Sequence, residues 1–197
     1  EVRLERAREP ETLRLRLEQF LALENAGWKG QYGTSLLSSP DAAAFARRVY
    51  SGTPGREGLG FIDSLLLDER PVAMTVNIAS GRTAYSPKSA YDAAWRRLGP
   101  GLLLDYLAIE LFYSEGAYDA FDSATTAEGH ALDELWNERR QMVQLVIGPA
   151  GWRTRALATR VERSHQVRSA VKQSLGLSAS GVRAQLSRLR RLVSSTT

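Results

Sequence analysis

Cysteine is absent from all 197 residues, so disulfides, thiolate metal sites and a cysteine nucleophile are excluded. A reducing compartment fits that absence, and cytoplasmic placement is the expectation. Histidine occurs only twice, and no metal-ligand spacing is present, so no metal is expected. Long apolar runs are missing too. None approaches the roughly 18 residues of a membrane span, and no charged stretch followed by an apolar core and cleavage site opens the chain. Membrane insertion and secretion are therefore disfavoured. What is present, 43% apolar and 24% charged residues in 21.8 kDa, suffices for one sizeable domain with a real core. The chain opens on Glu1 rather than methionine, and a piece of a longer gene product is the expectation.

Acidic residues are scarce at one end. From Gly151 onward there are 10 Arg or Lys and a single acid, Glu162, while the preceding residues carry 16 bases and 21 acids. Basic character therefore belongs to the C-terminal segment, and the overall pI near 9.6 is not a nucleic-acid signature for the whole chain.

Along the chain, residues 10–26 read as a helix: Pro10 suits a first turn, Leu13, Leu17, Phe20 and Leu21 form a stripe, and Gly27 is a stop. Ser39, Pro40 and Asp41 begin a second helix carrying Phe45, Ala46 and Val49 to about Gly52. Short apolar runs between tight turns from Leu59 to about Ser86 predict an antiparallel meander of three strands. "RRLGPGLLLDYLAIELFYSEGAYDAF" then predicts a turn, a helix from about Leu102 to Ser114 and a short strand at Ala120 and Phe121. A helix between two strands is a crossover, which makes those strands parallel. A helix at about 131–140 and a strand over "QMVQLVIG" complete a mixed sheet of α/β or α+β class. The glycine-rich "GWKGQYGTS" reads as a shaped loop anchored by burial of Trp28.

The order of "GWKG", "DERPVAM", "YSPKSAYD", "GPGLLL" and "YDAFD" resembles the GNAT acyltransferase superfamily over about residues 15–148. More narrowly, it is similar to the FemAB-like branch associated with polysaccharide and cellulose biosynthesis. The resemblance implies acetyl-CoA or another acyl-CoA as co-substrate, and a sugar or peptide acceptor. It also implies a connecting helix at 1–26 and a GNAT-like domain at 27–150, while the charge and helical spacing of residues 151–197 read as a basic helical extension.

Each candidate site residue has a plainer alternative. Gly99, Gly101 and Leu102 at a helix start, with Arg96 and Arg97, can bind a pyrophosphate; they can equally form a turn with a solvated arginine pair. Tyr85 and Tyr91, placed just after a strand, can move protons, and Lys88 can orient an anion; tyrosines also commonly pack with wet hydroxyls. Asp122 at a strand end is a base, an anchor or a turn cap. Lys29 can meet an anionic ligand, and His130 sits in a loop where histidines are commonly solvated.

Departures from the resembled pattern bear on function. Asp133 stands where relatives carry a lysine before the tryptophan that is Trp136 here, and "SATT" replaces an expected glycine. Relatives of that branch also carry a preceding GNAT-like half, which is removed here or supplied by another chain. Acyl transfer from acyl-CoA, or less favourably aminoacyl transfer from tRNA, therefore stands against a catalytically silent assembly module. The tail stripe of Val182, Leu186, Leu189 and Val193, set among arginines, can lie on an anionic membrane surface, which would place the chain at the inner membrane. No aromatic follows Trp152, which disfavours both stacking on nucleic acid and anchoring at a lipid interface, and docking on the acidic body is the alternative.

Overall fold

The computed structural model describes residues 1–52, 58–125, 135–136, 138–141, 145 and 147–174. Half of the expected helix at 131–140, half of the "QMVQLVIG" strand, and all of His130 and the tail stripe lie outside the described residues. Two compact units are present, residues 1–127 and 128–197. In the second unit the described helix is Trp152–Ser174.

The first unit holds a five-stranded mixed sheet in chain order, β1 (Val2–Ala7), β2 (Gly60–Leu67), β3 (Arg70–Ser80), β4 (Thr83–Tyr91) and β5 (Ala120–Asp122). β1 to β4 pair antiparallel, and β5 lies parallel to β4. The meander and the parallel crossover match expectation. β1 does not appear in that expectation, because "VRLERA" alternates apolar residues with charges that look solvated. Those charges are instead paired: Arg16 Nε donates to Glu5 Oε1 at 2.6 Å, and Arg6 Nε donates to Asp63 Oδ1 at 2.7 Å. Residues 1–26 thus contribute an edge strand and a core helix to the same unit as residues 27–127.

Helices α1 (Pro10–Ala26), α2 (Trp28–Gln31), α3 (Pro40–Ser51) and α4 (Pro100–Glu115) complete the unit. Alternate residues of β3 sort the core. Met74 and Val76 pack with Leu13, Leu17, Phe20 and Leu21 of α1, while Ala73 packs with Leu104 of α4. Because neighbours along a strand point to opposite faces, α1 and α3 cover one face and α4 the other. The buried residues of α3 are Ala43, Ala46 and Tyr50; Phe45, read from sequence as part of its stripe, is 65% exposed. The helical period starts from Ala43, which turns Phe45 outward.

The "GWKGQYGTS" segment departs most from expectation. Its first residues form the single turn α2, and Trp28 is 56% exposed rather than buried. Gly30 permits this turn to sit against α1: a Cβ there would meet the Asn25 carbonyl oxygen at 1.8 Å.

Candidate functional site

β4 organises the candidate residues. "YSPKSAY" lies inside this strand rather than after it. Val76 pairs with Lys88 and Ile78 with Tyr85, so Ser86 and Pro87 together face Asn77 in a β-bulge. Proline lacks an N–H for the ladder, and a bulge accommodates it. The bulge also shifts the side-chain alternation. Tyr85, opposite Ile78, and Lys88, opposite Val76, both face α1, while Tyr91 packs on the α4 side with Leu104.

β5 accompanies β4 only from Thr83↔Ala120 to Tyr85↔Asp122, whereas β4 continues to Tyr91. Beyond Tyr85, β4 therefore has no strand partner on that side among the described residues. The Asp92 N–H donates to the Val72 carbonyl at 2.8 Å, directing residue 92 toward β3. Antiparallel alternation then directs the N–H and C=O groups of Tyr91 and Ser89 to the open edge. Lys29 Nζ donates to the Ser89 carbonyl there at 2.7 Å.

At the end of this edge α4 begins. Gly99 adopts the left-handed conformation, φ 63 and ψ 47, and no side chain caps the helix. Leu103 N–H bonds to Gly99 O at 3.1 Å, and Pro100 has no N–H, so Gly101 and Leu102 present the outward donors of the first turn. A Cβ on Gly101 would lie 3.7 Å from Tyr91 Cδ1, which sets the helix start against the end of β4. Arg96 and Arg97 fall in the 3-10 turn Ala93–Leu98 that leads into it. Free backbone donors and the positive end of a helix dipole are the features with which helix starts bind phosphate.

Lys29 and Lys88, singled out from sequence, share a partner that sequence reasoning missed. Lys88 Nζ donates to Glu24 Oε1 at 2.8 Å and Lys29 Nζ to the same oxygen at 3.3 Å, while the Leu36 N–H takes Oε2 at 2.8 Å. The Glu24 side chain is fully buried. Burial opposes its ionisation, yet the hydrogen bonds from Lys88 and Leu36 and the two ammonium charges outweigh it and hold the carboxyl below its ordinary value. Burial lowers Lys29 below the usual lysine value, and Glu24, shared with Lys88, restores only part of it. Tyr50 is pushed up to about 12, by burial and then by the charge of Glu24.

Asp122 sits opposite Tyr85, and its Oδ1 accepts from the Ala124 N–H at 2.8 Å, capping the next turn. On the α4 face lies a separate buried group. Arg6 clamps Asp63 through two nitrogens at 2.7 and 3.0 Å, and Asn77 Nδ2 donates to Asp63 Oδ2 at 3.1 Å. Asp105 on α4 is also buried, and burial together with the charge of Asp63 raises its carboxyl to about 7.

The comparisons bear on this geometry. A family model described as "Acetyltransferase (GNAT) domain" matches residues 1–132. The chain belongs to this GNAT acetyltransferase family. Among solved structures, an aminoglycoside acetyltransferase, meta-AAC0020, from an uncultured soil metagenomic sample in complex with sisomicin is similar at 19% identity and TM-score 0.50. That match covers 76% of this chain and 97% of the neighbour. AAC(6')-Iy in complex with the bisubstrate analogue CoA-S-monomethyl-acetylneamine matches at 11% identity and TM-score 0.49, over 76% of this chain and 99% of its own. No curated protein matches in sequence. The mixed sheet with helices on both faces is the GNAT fold, as the sequence resemblance implied. No helix among the described residues is long and apolar enough to cross a membrane, and no group of metal-binding side chains occurs among them.

Proposed function

We propose that this GNAT chain transfers an acyl group from acyl-CoA to an amine or hydroxyl of a small acceptor. The observation that carries the reading is the open edge of β4, which runs from the Tyr85↔Asp122 pair to the uncapped start of α4. Acyl-CoA supplies the acyl group already activated as a thioester. Gly101 and Leu102 N–H groups, with Arg96 and Arg97, hold its phosphates, and the backbone groups of Ser89 and Tyr91 align an amide-bearing chain along the edge. Tyr85, beside the bulge, gives a proton to the leaving sulfur and regains one from the acceptor as its nitrogen or oxygen bonds to the acyl carbon, and Asp122, opposite Tyr85, orients the acceptor. Tyr91 supports the start of α4 by packing.

The neighbours named above act on aminoglycosides or carry CoA-derived ligands, which supports acyl transfer to a small molecule as the class. A sugar or peptide acceptor and the FemAB-like association with polysaccharide synthesis rest on the sequence motifs. Cytoplasmic location, and a lipid-facing role for the basic segment after Gly151, belong to the same proposal.

One observation favours a silent binding module instead: both lysines proposed for substrate are already engaged by Glu24. Incubation with acetyl-CoA and a panel of amino sugars, sugar alcohols and peptides, read as release of free CoA thiol, separates the two. Acceptor-dependent release that Tyr85→Phe reduces supports transfer. Binding of CoA without release on any acceptor supports the silent module.

A further inference from the structure

This inference rests on the acyl-transfer reading and concerns how the donor reaches the edge of β4. The outward carbonyl of Ser89 on that edge already accepts from Lys29 Nζ at 2.7 Å, close to the distance at which the amide nitrogen of a paired chain would stand. A chain that lies along β4 as a further strand, an amide-bearing donor arm included, pairs through this same oxygen. Lys29 and the donor therefore meet at one acceptor. An unpaired strand edge also invites stray chains, and lysine is among the residues that blunt such edges.

The lysine side chain can leave without loosening what surrounds it. Its backbone is fixed: the Lys29 carbonyl accepts from the Thr34 N–H at 2.8 Å, the Ser35 N–H at 3.1 Å and Thr34 Oγ1 at 3.2 Å. The close approach of Gly30 to Asn25 holds the same turn against α1. Only the flexible side chain needs to swing. Glu24 does not depend on it either. Lys88 Nζ and the Leu36 N–H each remain on that carboxylate at 2.8 Å, whereas the Lys29 contact, at 3.3 Å, is the longest of the three. Release returns a partly buried ammonium to water, which offsets part of what is lost. The losses are the charge-assisted bond to Ser89 and the contact of Nζ with the Trp28 ring, 5.9 Å from its centroid.

We propose that Lys29 is a displaceable guard of the donor groove: in the free protein its ammonium holds the Ser89 carbonyl, and acyl-CoA binds by expelling it and setting an amide N–H of its own arm in its place. The guard makes the site selective. A thioester whose arm brings no N–H to this point would leave the Ser89 oxygen unpaired after removing its partner.

Calorimetry on the full chain tests this with CoA and with pantetheine, which has the same amide-bearing arm without the phosphates, titrated into the wild type and Lys29→Met. Methionine keeps an unbranched apolar stem and removes the ammonium, and circular dichroism checks that the variant is folded. The expected result is that Lys29→Met binds CoA about tenfold more tightly, with pantetheine gaining by a similar factor, as befits loss of a competing charge-assisted bond. A second measurement uses the wild type alone: reductive methylation of Lys29, read by mass spectrometry against Lys88, should increase when CoA is bound. CoA affinity lost in Lys29→Met with pantetheine unchanged assigns the lysine to a donor phosphate and overturns the proposal. Equal CoA affinity in the two proteins, or methylation of Lys29 that CoA suppresses, also overturns it while leaving the acyl-transfer reading in place. CoA bound by neither folded protein sinks that reading and the guard together.

Discussion

Glu24 and Lys88, 64 positions apart in sequence, meet at 2.8 Å across the interface between α1 and β4. The contact places a fully buried carboxylate behind the strand that carries most of the candidate site. Removing one partner of a buried pair leaves the other uncompensated, at a cost of about 3–5 kcal/mol. Glu24→Ala is therefore expected to lower the melting temperature sharply, and more than Lys88→Met, which leaves Lys29 and the Leu36 N–H on the carboxylate.

The same carboxylate gives a pH signature. Its folded value lies below its ordinary one, so the stability it confers is present above the unfolded value and is lost as pH falls through the folded one. Denaturant titrations from pH 6 down to pH 3 are expected to show wild-type stability falling below about pH 4.5, the ordinary carboxylate value. Glu24→Gln should lack that component. Parallel curves for the two proteins would contradict the assignment.

Asp105 works with the opposite sign. Its carboxyl is raised from 3.8 to about 7, so the folded state binds the extra proton and stability declines as pH rises through that window. Asp105→Asn is expected to gain on the wild type between pH 5 and pH 8, by at most about 3 kcal/mol, since roughly two pH units of that window lie below the folded value of about 7 at 1.36 kcal/mol each. Chemical denaturation at those two pH values checks it, and an equal difference at both would remove Asp105 from the account.

Tyr85 and Tyr91 look equivalent in the sequence, and the bulge at Ser86 and Pro87 separates them onto opposite faces. Tyr85→Phe is expected to slow acyl transfer by about 10²-fold or more while leaving CoA affinity within about twofold, as befits loss of a proton donor. Tyr91→Phe should leave both quantities close to wild type, because its ring supports α4 through packing. Single-turnover rates together with CoA affinities for the two variants distinguish these roles.

What the sequence made legible follows from local signals. Pro10 and Gly27 bracket α1, tight turns separate β2, β3 and β4, and a helix between β4 and β5 forces them parallel. Long-range pairing was the hidden part. Arg3, Glu5 and Arg6 make β1 look solvated because their partners lie on α1, on β2 and in the β2–β3 turn. Glu24 in "ALENAG" reads as an ordinary helix-end acid, and nothing local reveals that two lysines and a backbone N–H close over it. Trp28 shows the reverse. Its size argues for burial, but the single turn that Gly27 and Gly30 allow leaves the ring exposed.

The central claim is that an acyl-CoA lies along the open edge of β4 with its phosphates at the start of α4. Calorimetric titration of acetyl-CoA and CoA into the wild type and Gly101→Glu tests it most directly. Gly101 has room for a Cβ beside Tyr91, so the variant should fold, which circular dichroism verifies, while its carboxylate repels the phosphates. Micromolar binding by the wild type that is lost in Gly101→Glu is the predicted result. Equal affinity in both proteins, or no binding by a folded wild type, would contradict it.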